Sequence, residues 1–292
     1  MNHRLPYLNA GCGHHFHPSW TNLDFVATAS EVIAHNLLDG IPFDNQSFEV
    51  VYHSHVLEHF TKADGEHFLA ECYRVLKPGG ILRIAIPDLE RAAQDYLHAL
   101  SLALQKPDDP IAAANHEWMI TELIDQAARN QSGGQMAKYL FRPQIANEDF
   151  VFQRIGEEGR QLRHWYLEQQ DKKKSPPPPQ APAPTDTPLR RLKDAIKVLL
   201  GRRIYQAPTP EQTEMTRYAS VGKFRLSGEI HQWMYDRYSL PQLLQKIGFG
   251  EVFITNAFES RIPNWTQFGL DHIGDQVRKP DSLFVEAIKI QA

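Results

Sequence analysis

Residues 53–60 read HSHVLEHF and bring His53, His55, Glu58 and His59 into one short span, directly after the apolar run FEVVY. Imidazole and carboxylate at this spacing can serve two chemistries. They can ligate a divalent metal that activates a bound water, or one histidine can act as a general base near neutral pH. Alternation along an extended strand sends His53 and His55 to one side, so a cluster is sterically feasible. Glu58 has a plainer use as well, as a helix-start carboxylate facing the positive end of a helix dipole. Another candidate base, His231, lies in GEIHQWMYDRYSL, where Trp233, Tyr235 and Tyr238 cluster with Asp236. Rings with polar tips suit the floor of a sugar or aromatic acceptor, and an Asp can orient a His. The same WMY run equally suits packing of a C-terminal helix.

A second constellation sits near the start. LNAGCG places Gly11 and Gly13 at the end of an apolar segment, where glycines let the backbone turn sharply and approach a ligand closely. Asp24 ends the next such segment, TNLDF, where a carboxylate can accept from both hydroxyls of a ribose. The pair suggests a nucleoside ligand. The turn lacks the full G-x-G-x-x-G spacing and the Gly-Lys-Ser/Thr of a phosphate loop, which favours one adenosine without phosphates.

The elements that must position these residues follow from periodicity. LPYLN, WTNLDF, VIAHNLL, FEVVYHS and ILRIAIP read as strands separated by turn signals, the rhythm of a parallel sheet. DGEHFLAECYRVL is helical, with Phe68, Leu69, Cys72, Val75 and Leu76 at helical spacing and Lys77-Pro78-Gly79-Gly80 as its stop. A further helix spans Leu89 to Leu104, with Asp88 as its N-cap or as a residue at the ligand edge of the sheet. SLPQLLQKIGFG is a helix with a Ser cap, early Pro and a glycine stop. EVFITNAF and SLFVEAIKI are strands that could form an antiparallel edge.

LNAGCG, TNLD, LLDGIPFDNQSFEVVYHSHVLEHF and ECYRVLKPGGILRIAIPD, in this order and spacing, resemble the class I SAM-dependent methyltransferases, especially the methyltransferase type 11 group. FRLSGEIHQWMYDRYSLPQLLQKIGF resembles a bacterial branch of the same enzymes. The resemblance covers roughly residues 5–90 and 223–290 and leaves the middle unexplained. It implies an α/β fold, a Rossmann-like mostly parallel sheet with an antiparallel C-terminal strand and a helical insertion. It implies S-adenosyl-L-methionine (SAM) as cofactor, with Gly11 and Gly13 beneath its methionine part, Asp24 on its ribose and Asn36 at the adenine amino group. Asn9, Cys12 and Leu37 would also touch the cofactor, and Ser54 and His55 would face it from the opposite side. Only HHFHPS separates Gly13 from Trp20, whereas a regular parallel crossover needs a dozen or more residues, so the first crossover is expected to be stunted.

The expected activity is methyl transfer, with oxygen favoured over nitrogen as acceptor atom because histidine supplies a base of suitable pKa. A saccharide or other small metabolite is the expected acceptor. His55, His59 and His231 are the candidate bases, with Tyr235 and Asp236 beside the last, and no metal is expected. HSHVLEHF also resembles the H-x-H-x-D-H run of metallo-β-lactamase-like hydrolases, one residue out of register and with Glu in place of Asp, so a zinc hydrolase is one alternative. A non-catalytic SAM-binding partner protein is another.

Composition supplies the outer limits. The chain has 292 residues, 42% of them hydrophobic, and a formal net charge of −4, which gives no reason to expect a nucleic-acid partner. Two cysteines, Cys12 and Cys72, are too few for a disulfide framework or a thiolate zinc site. The start MNHRLPYLNAGCG lacks a signal-peptide h-region and no long apolar run occurs, so a cytoplasmic protein is expected. Three parts are expected: residues 1–104 and 223–292 as the two halves of the core, and 105–222 as an insertion. Within the latter, 171–188 is a Pro-rich linker, and 189–204 is an amphipathic cationic helix that covers the active site or contacts a membrane surface.

Overall fold

The computed structural model describes residues 5–174 and 209–290, so most of the Pro-rich linker and the cationic helix read at 189–204 lie outside the described residues. Asp171–Lys174 close a helix, which therefore runs into the segment read as linker. No helix among the described residues is long and apolar enough to cross a membrane.

Short runs of β-branched and aromatic residues form a seven-stranded sheet. Its members are β1 (Tyr7–Ala10), β2 (Thr21–Asp24), β3 (Val32–Ala34), β4 (Phe48–Ser54), β5 (Leu76–Pro87), β6 (Phe249–Thr255) and β9 (Ser282–Lys289), in the order β3-β2-β1-β4-β5-β9-β6. A two-residue hairpin, β7 (His272–Ile273) with β8 (Gln276–Val277), stands apart. Strands β3 to β5 pair in parallel, and β9 runs antiparallel to both its neighbours. The sheet is thus Rossmann-like and mostly parallel, and the two C-terminal strands form its antiparallel edge as expected. Within that edge β9 lies between β5 and β6, which is outermost. Burial accounts for this, because Leu283 to Ala287 are all buried, whereas β6 exposes Gly250, Glu251 and Ile254. A strand buried on both faces belongs inside a sheet.

The third strand is shorter than VIAHNLL suggests, since Asn36 starts a 3₁₀ turn at Leu37–Asp39 by accepting from the Leu38 amide at 3.2 Å. That side-chain bond competes with strand pairing. The helix after the aromatic run also starts differently. Asp236, not Ser239, organises the entry of α7 (Ser239–Ile247) by accepting from Tyr238 N, Ser239 N and Ser239 Oγ.

The two faces of the sheet are covered unequally. On one, α1 (Lys62–Val75) and α7 bury Phe68, Leu69, Cys72, Val75, Leu240 and Leu244 against β1, β4, β5 and β9. On the other, the expected stunted crossover is found, for no helix separates β1 from β2. Asn9 and Asn22 hold the loop by donating to the carbonyls of His15, His17 and Trp20. An aromatic layer of Trp20, Ile262, Trp265, Phe268 and Leu270 closes over Tyr7, Val50 and Tyr52 instead of a helix. Beneath it Arg83, wholly buried, pairs with Asp271 at 2.8 Å and Glu286 at 2.6 Å and stacks on Trp265 at 4.3 Å. Such a buried charge is tolerable only because each donor has a partner.

Past the carboxyl end of β5 the chain leaves the sheet. The helices α2 (Leu89–Gln105), α3 (Pro110–Ala128), α4 (Gly134–Leu140) and α5 (Glu148–Lys174, kinked at Gly156) build a second body. Its own core contains Ala99, Trp118, Met119, Tyr139, Leu140, Val151 and Phe152. Asp88 caps α2 by accepting from the Arg91 amide, and Asp109 caps α3 ahead of a Pro at its first turn. A final insertion helix, α6 (Pro210–Arg225), starts with a capping box and buries no residue. The insertion ties to the core where Arg278 donates to Glu158 of α5 at 2.9 Å.

Candidate functional site

Gly11 and Gly13 end β1 with φ of +74° and +56°, a region that L side chains rarely adopt. A Cβ on Gly11 would meet Val56 Cγ2 at 2.3 Å, while one on Gly13 would meet nothing within 4 Å. Gly11 is therefore glycine for packing, and Gly13 borders open space. The turn is clamped to β2: Gly11 N and Cys12 N donate to Leu23 O, Gly13 N donates to Asp24 Oδ2 at 2.7 Å, and Thr28 Oγ1 donates to Gly13 O. The other Asp24 oxygen accepts from Val26 N at 3.3 Å. A carboxylate offers about four acceptor directions, so Asp24 keeps capacity on both oxygens.

A cleft of about 270 Å³ opens beside this turn, lined by Asn9, Gly11, Cys12, Gly13, His14 and His15 on one side and by Tyr52, Ser54, His55, Glu158, Arg278 and Lys279 on the other. It lies at the carboxyl ends of β1 and β4, where chain order reverses direction across the sheet, the usual ligand crevice of such folds. Arg278 reaches into it while donating to Ser54 Oγ at 3.0 Å and Leu270 O at 3.0 Å. Of the histidines of HHFH, His15 turns its Nε2 to Gly269 O at 2.8 Å, and burial holds its pKa below the ordinary value. Asn36 and Leu37 stand past the end of β3, Leu37 buried in the core and Asn36 capping its 3₁₀ turn.

A second cavity, about 280 Å³, lies between the core and the insertion. His55, Glu158 and Lys279 line both it and the first cleft, so the two spaces meet at these side chains. Its insertion wall is apolar, with Met136, Ala137, Leu140, Ile155 and Leu162, and Arg129, Lys279 and Asp281 add charge. Arg278, Lys279, Glu158 and Asp281 were not legible in the sequence. The first three converge from 120 residues apart, and no local pattern marks them.

HSHVLEHF divides its residues between different surroundings. His53 is fully buried in β4 with its ring 5.1 Å from Phe68, and burial pushes its pKa down to about 3. His55 follows the strand with φ +54°, an outlier for a non-glycine residue, so alternation ends before it and the two rings do not form a common site. Its Nε2 lies 2.8 Å from Ser282 Oγ and its Nδ1 3.2 Å from Glu58 Oε1. Burial, with Lys279 and Arg278 nearby, holds its pKa well below the ordinary value, so the ring is neutral near pH 7.

Val56 and Leu57 are buried, and Leu57–His59 form a 3₁₀ turn with Glu58 in its first turn. Glu58 points inward, only 1% exposed, and burial raises its pKa to about 8. His59 and His231 meet edge to face at 5.0 Å between ring centres. Of the three candidate bases only His55 lines the first cleft; His59 and His231 stand behind it.

Two further site assignments are corrected. Tyr235 is 2% exposed and lies in the core against α1, so it cannot floor an acceptor. The Asp236 carboxylate is engaged by the start of α7 and does not orient His231. Trp233 and Tyr238 point outward, Trp233 under the Lys62 ammonium at 4.9 Å.

Residues 8–84 match the family model of a methyltransferase domain. A probable S-adenosylmethionine-dependent methyltransferase of Mycolicibacterium smegmatis is 38% identical over 56 residues, which are 19% of this chain and 21% of that protein. The chain thus spans about a fifth of the length of the curated relative it matches. Among solved structures, a SAM-dependent methyltransferase of Thermotoga maritima is 12% identical with a TM-score of 0.35, covering 97% of this chain and 81% of that one. The 1,6-didemethyltoxoflavin-N1-methyltransferase of Burkholderia thailandensis, solved with S-adenosylhomocysteine, is 19% identical over 28% of this chain and 44% of that one, with a TM-score of 0.24.

Proposed function

With residues 8–84 as a methyltransferase domain, we propose that this protein transfers the methyl group of SAM to a hydroxyl of a small acceptor such as a saccharide. The observation that carries the reading is the junction of two spaces at His55, Glu158 and Lys279, one beside the glycine turn to which Asp24 is hydrogen-bonded, the other walled by the insertion.

The residues beside the turn fit the cofactor. Open space faces Gly13, and Asp24 keeps acceptor capacity for two ribose hydroxyls beyond the amides it already takes. Asn36 Oδ1 accepts one amide and has a second lone pair for the adenine amino group. Arg278 supplies a cation beside Ser54 for a carboxylate. When bound, SAM supplies an electrophilic methyl on a sulfonium.

What remains for the protein is to orient the acceptor, exclude water and take one proton. Met136, Leu140, Ile155 and Leu162 give the acceptor side of the junction an apolar wall. His55, neutral near pH 7 and with its Nε2 held 2.8 Å from Ser282 Oγ, takes the hydroxyl proton at Nε2 through the Ser282 hydroxyl. His59 and His231 do not reach the junction, so the base role rests on His55 alone.

Isothermal titration with SAM and S-adenosylhomocysteine tests the cofactor half. Micromolar binding that weakens by about 10–100-fold in Asp24→Ala is expected, since hydrogen bonds to a charged group contribute about 1.5–3 kcal/mol each. Absence of binding to either compound would overturn the reading, and release of S-adenosylhomocysteine against a panel of hydroxyl and amine acceptors decides the acceptor atom.

A further inference from the structure

Behind His55, three side chains of two distant segments converge. One ligand atom each from Glu58, His59 and His231 can be chosen so that all lie within 4.8 Å of one another. The frame that holds them is backbone. Gln232 N donates to Glu58 O at 2.7 Å, Gln232 Nε2 donates to His59 O at 2.8 Å, and His231 N donates to Gln126 O of α3 at 3.0 Å.

The Glu58 carboxylate is the unexplained group. It is 1% exposed, and neither oxygen has a hydrogen-bond partner among the described residues. The approach of His55 Nδ1 at 3.2 Å is close but lacks hydrogen-bond geometry. A buried carboxylate left unpaired costs several kcal/mol unless a cation or proton answers it. Lys279, whose charge reaches Glu58, lies 3.2 Å from Glu158, and Arg129, whose charge reaches His59 and His231, lies 3.5 Å from Glu229.

The histidines are set up as ligands. His59 Nδ1 lies 3.2 Å from Ile230 O, and because a carbonyl only accepts, Nδ1 carries the proton. In the neutral ring Nε2 then offers its lone pair, and it lies 4.0 Å from Glu58 Oε1. A backbone carbonyl fixing the far nitrogen is the outer-shell pattern of metal-bound histidine. His231 also lines a cavity of about 30 Å³ with Gln126, Met234 and Asp281, room for one water.

We propose that Glu58, His59 and His231 form a binding site for a divalent transition metal of the zinc class, with a water or second ligand completing the coordination. Two imidazoles and one carboxylate are a ligand set of open sites for zinc or ferrous iron. The ion would neutralise the buried Glu58 and stiffen the wall behind His55. The site stands apart from the cofactor reading, since its ligands do not line the cleft beside Gly13.

The test is titration of chelator-treated full-length protein with Co(II), read by its visible ligand-field bands, followed by displacement with Zn(II). One Co(II) per chain is expected, with affinity falling about tenfold or more in Glu58→Gln and in His231→Gln, and unchanged in Asp24→Ala. Binding of S-adenosylhomocysteine by the same variants, with circular dichroism, reports that they are folded and keeps failure of this site distinct from failure of the cofactor site. Should a variant not fold, paramagnetic broadening of the His59 and His231 imidazole resonances in the wild-type protein supplies the readout. No stoichiometric uptake of Co(II) or Zn(II), uptake indifferent to both substitutions, or imidazole resonances that stay sharp would overturn the proposal.

Discussion

The two glycines of the first turn, both at positive φ, should respond to the same substitution in opposite ways. Alanine at either position accepts the left-handed backbone at a cost of about 1–2 kcal/mol. At Gly13 nothing more is added, because the new methyl meets no atom within 4 Å. At Gly11 the methyl overlaps Val56 Cγ2 at 2.3 Å and crowds Cγ1 at 3.2 Å, and overpacking a core typically adds about 1–3 kcal/mol. Urea unfolding should therefore show Gly11→Ala destabilised by about 2–5 kcal/mol and Gly13→Ala by about 1–2 kcal/mol. Titration with S-adenosylhomocysteine should reverse the order among the folded variants, with Gly13→Ala losing about tenfold or more because its methyl enters the cleft proposed for the cofactor. A cycle with Val56→Ala should return a coupling of about 1 kcal/mol to Gly11 and none to Gly13. Equal destabilisation of the two variants, or wild-type affinity in Gly13→Ala, would refute the assignment of Gly11 to packing and Gly13 to the ligand.

Other sites yield independent tests. Arg83→Met leaves Asp271 and Glu286 buried without their common cation and should cost about 3–5 kcal/mol of stability in urea unfolding; a loss under about 1 kcal/mol would mean that the carboxylates find other partners. Glu71 holds the loop at residues 41–45 by accepting from Ile41 N and Arg74, whose guanidinium lowers the Glu71 pKa to about 2. A carboxyl pKa lowered by folding stabilises the native state above the unfolded pKa, and this stabilisation is lost as pH falls through the folded value. Glu71→Gln should thus be about 1.5–3 kcal/mol less stable at pH 7, and the gap should close as pH falls from about 4.5 towards 2; a gap that persists in acid would contradict the ion pair. His55→Ala should reduce methyl transfer to a hydroxyl acceptor by about 10²–10⁴-fold while S-adenosylhomocysteine affinity changes little, and a similar fall in affinity would make His55 a cofactor residue instead of a base.

The local features were legible because they rest on short-range physics. The glycine turn after Leu8-Asn9-Ala10, the acid that ends TNLD, the helix stopped by Lys77-Pro78-Gly79-Gly80 and the stunted link of HHFHPS are each fixed by backbone preference or chain length within a dozen residues. They were enough to place the parallel sheet, the glycine turn beside the cleft and the stunted first crossover. What the tertiary structure decided depends on which surfaces meet. Strand β9 entered the interior of the sheet because both its faces are buried, one on the apolar core and the other with Glu286 paired to Arg83. Tyr235 went to the core and Asp236 to a helix entry because α7 needed a floor and a cap more than the site needed an aromatic ring. Glu158 reached the cleft from the insertion, and Arg278 and Lys279 reached it from the core. In HSHVLEHF the spacing brought four polar residues together in sequence, but the positive φ at His55 and the 3₁₀ turn after it sent His53 into the core, His55 to the cleft, and Glu58 and His59 back towards His231. Sequence spacing determines what can be near in the chain, whereas burial and backbone hydrogen bonds across the fold determine which of those groups share one site.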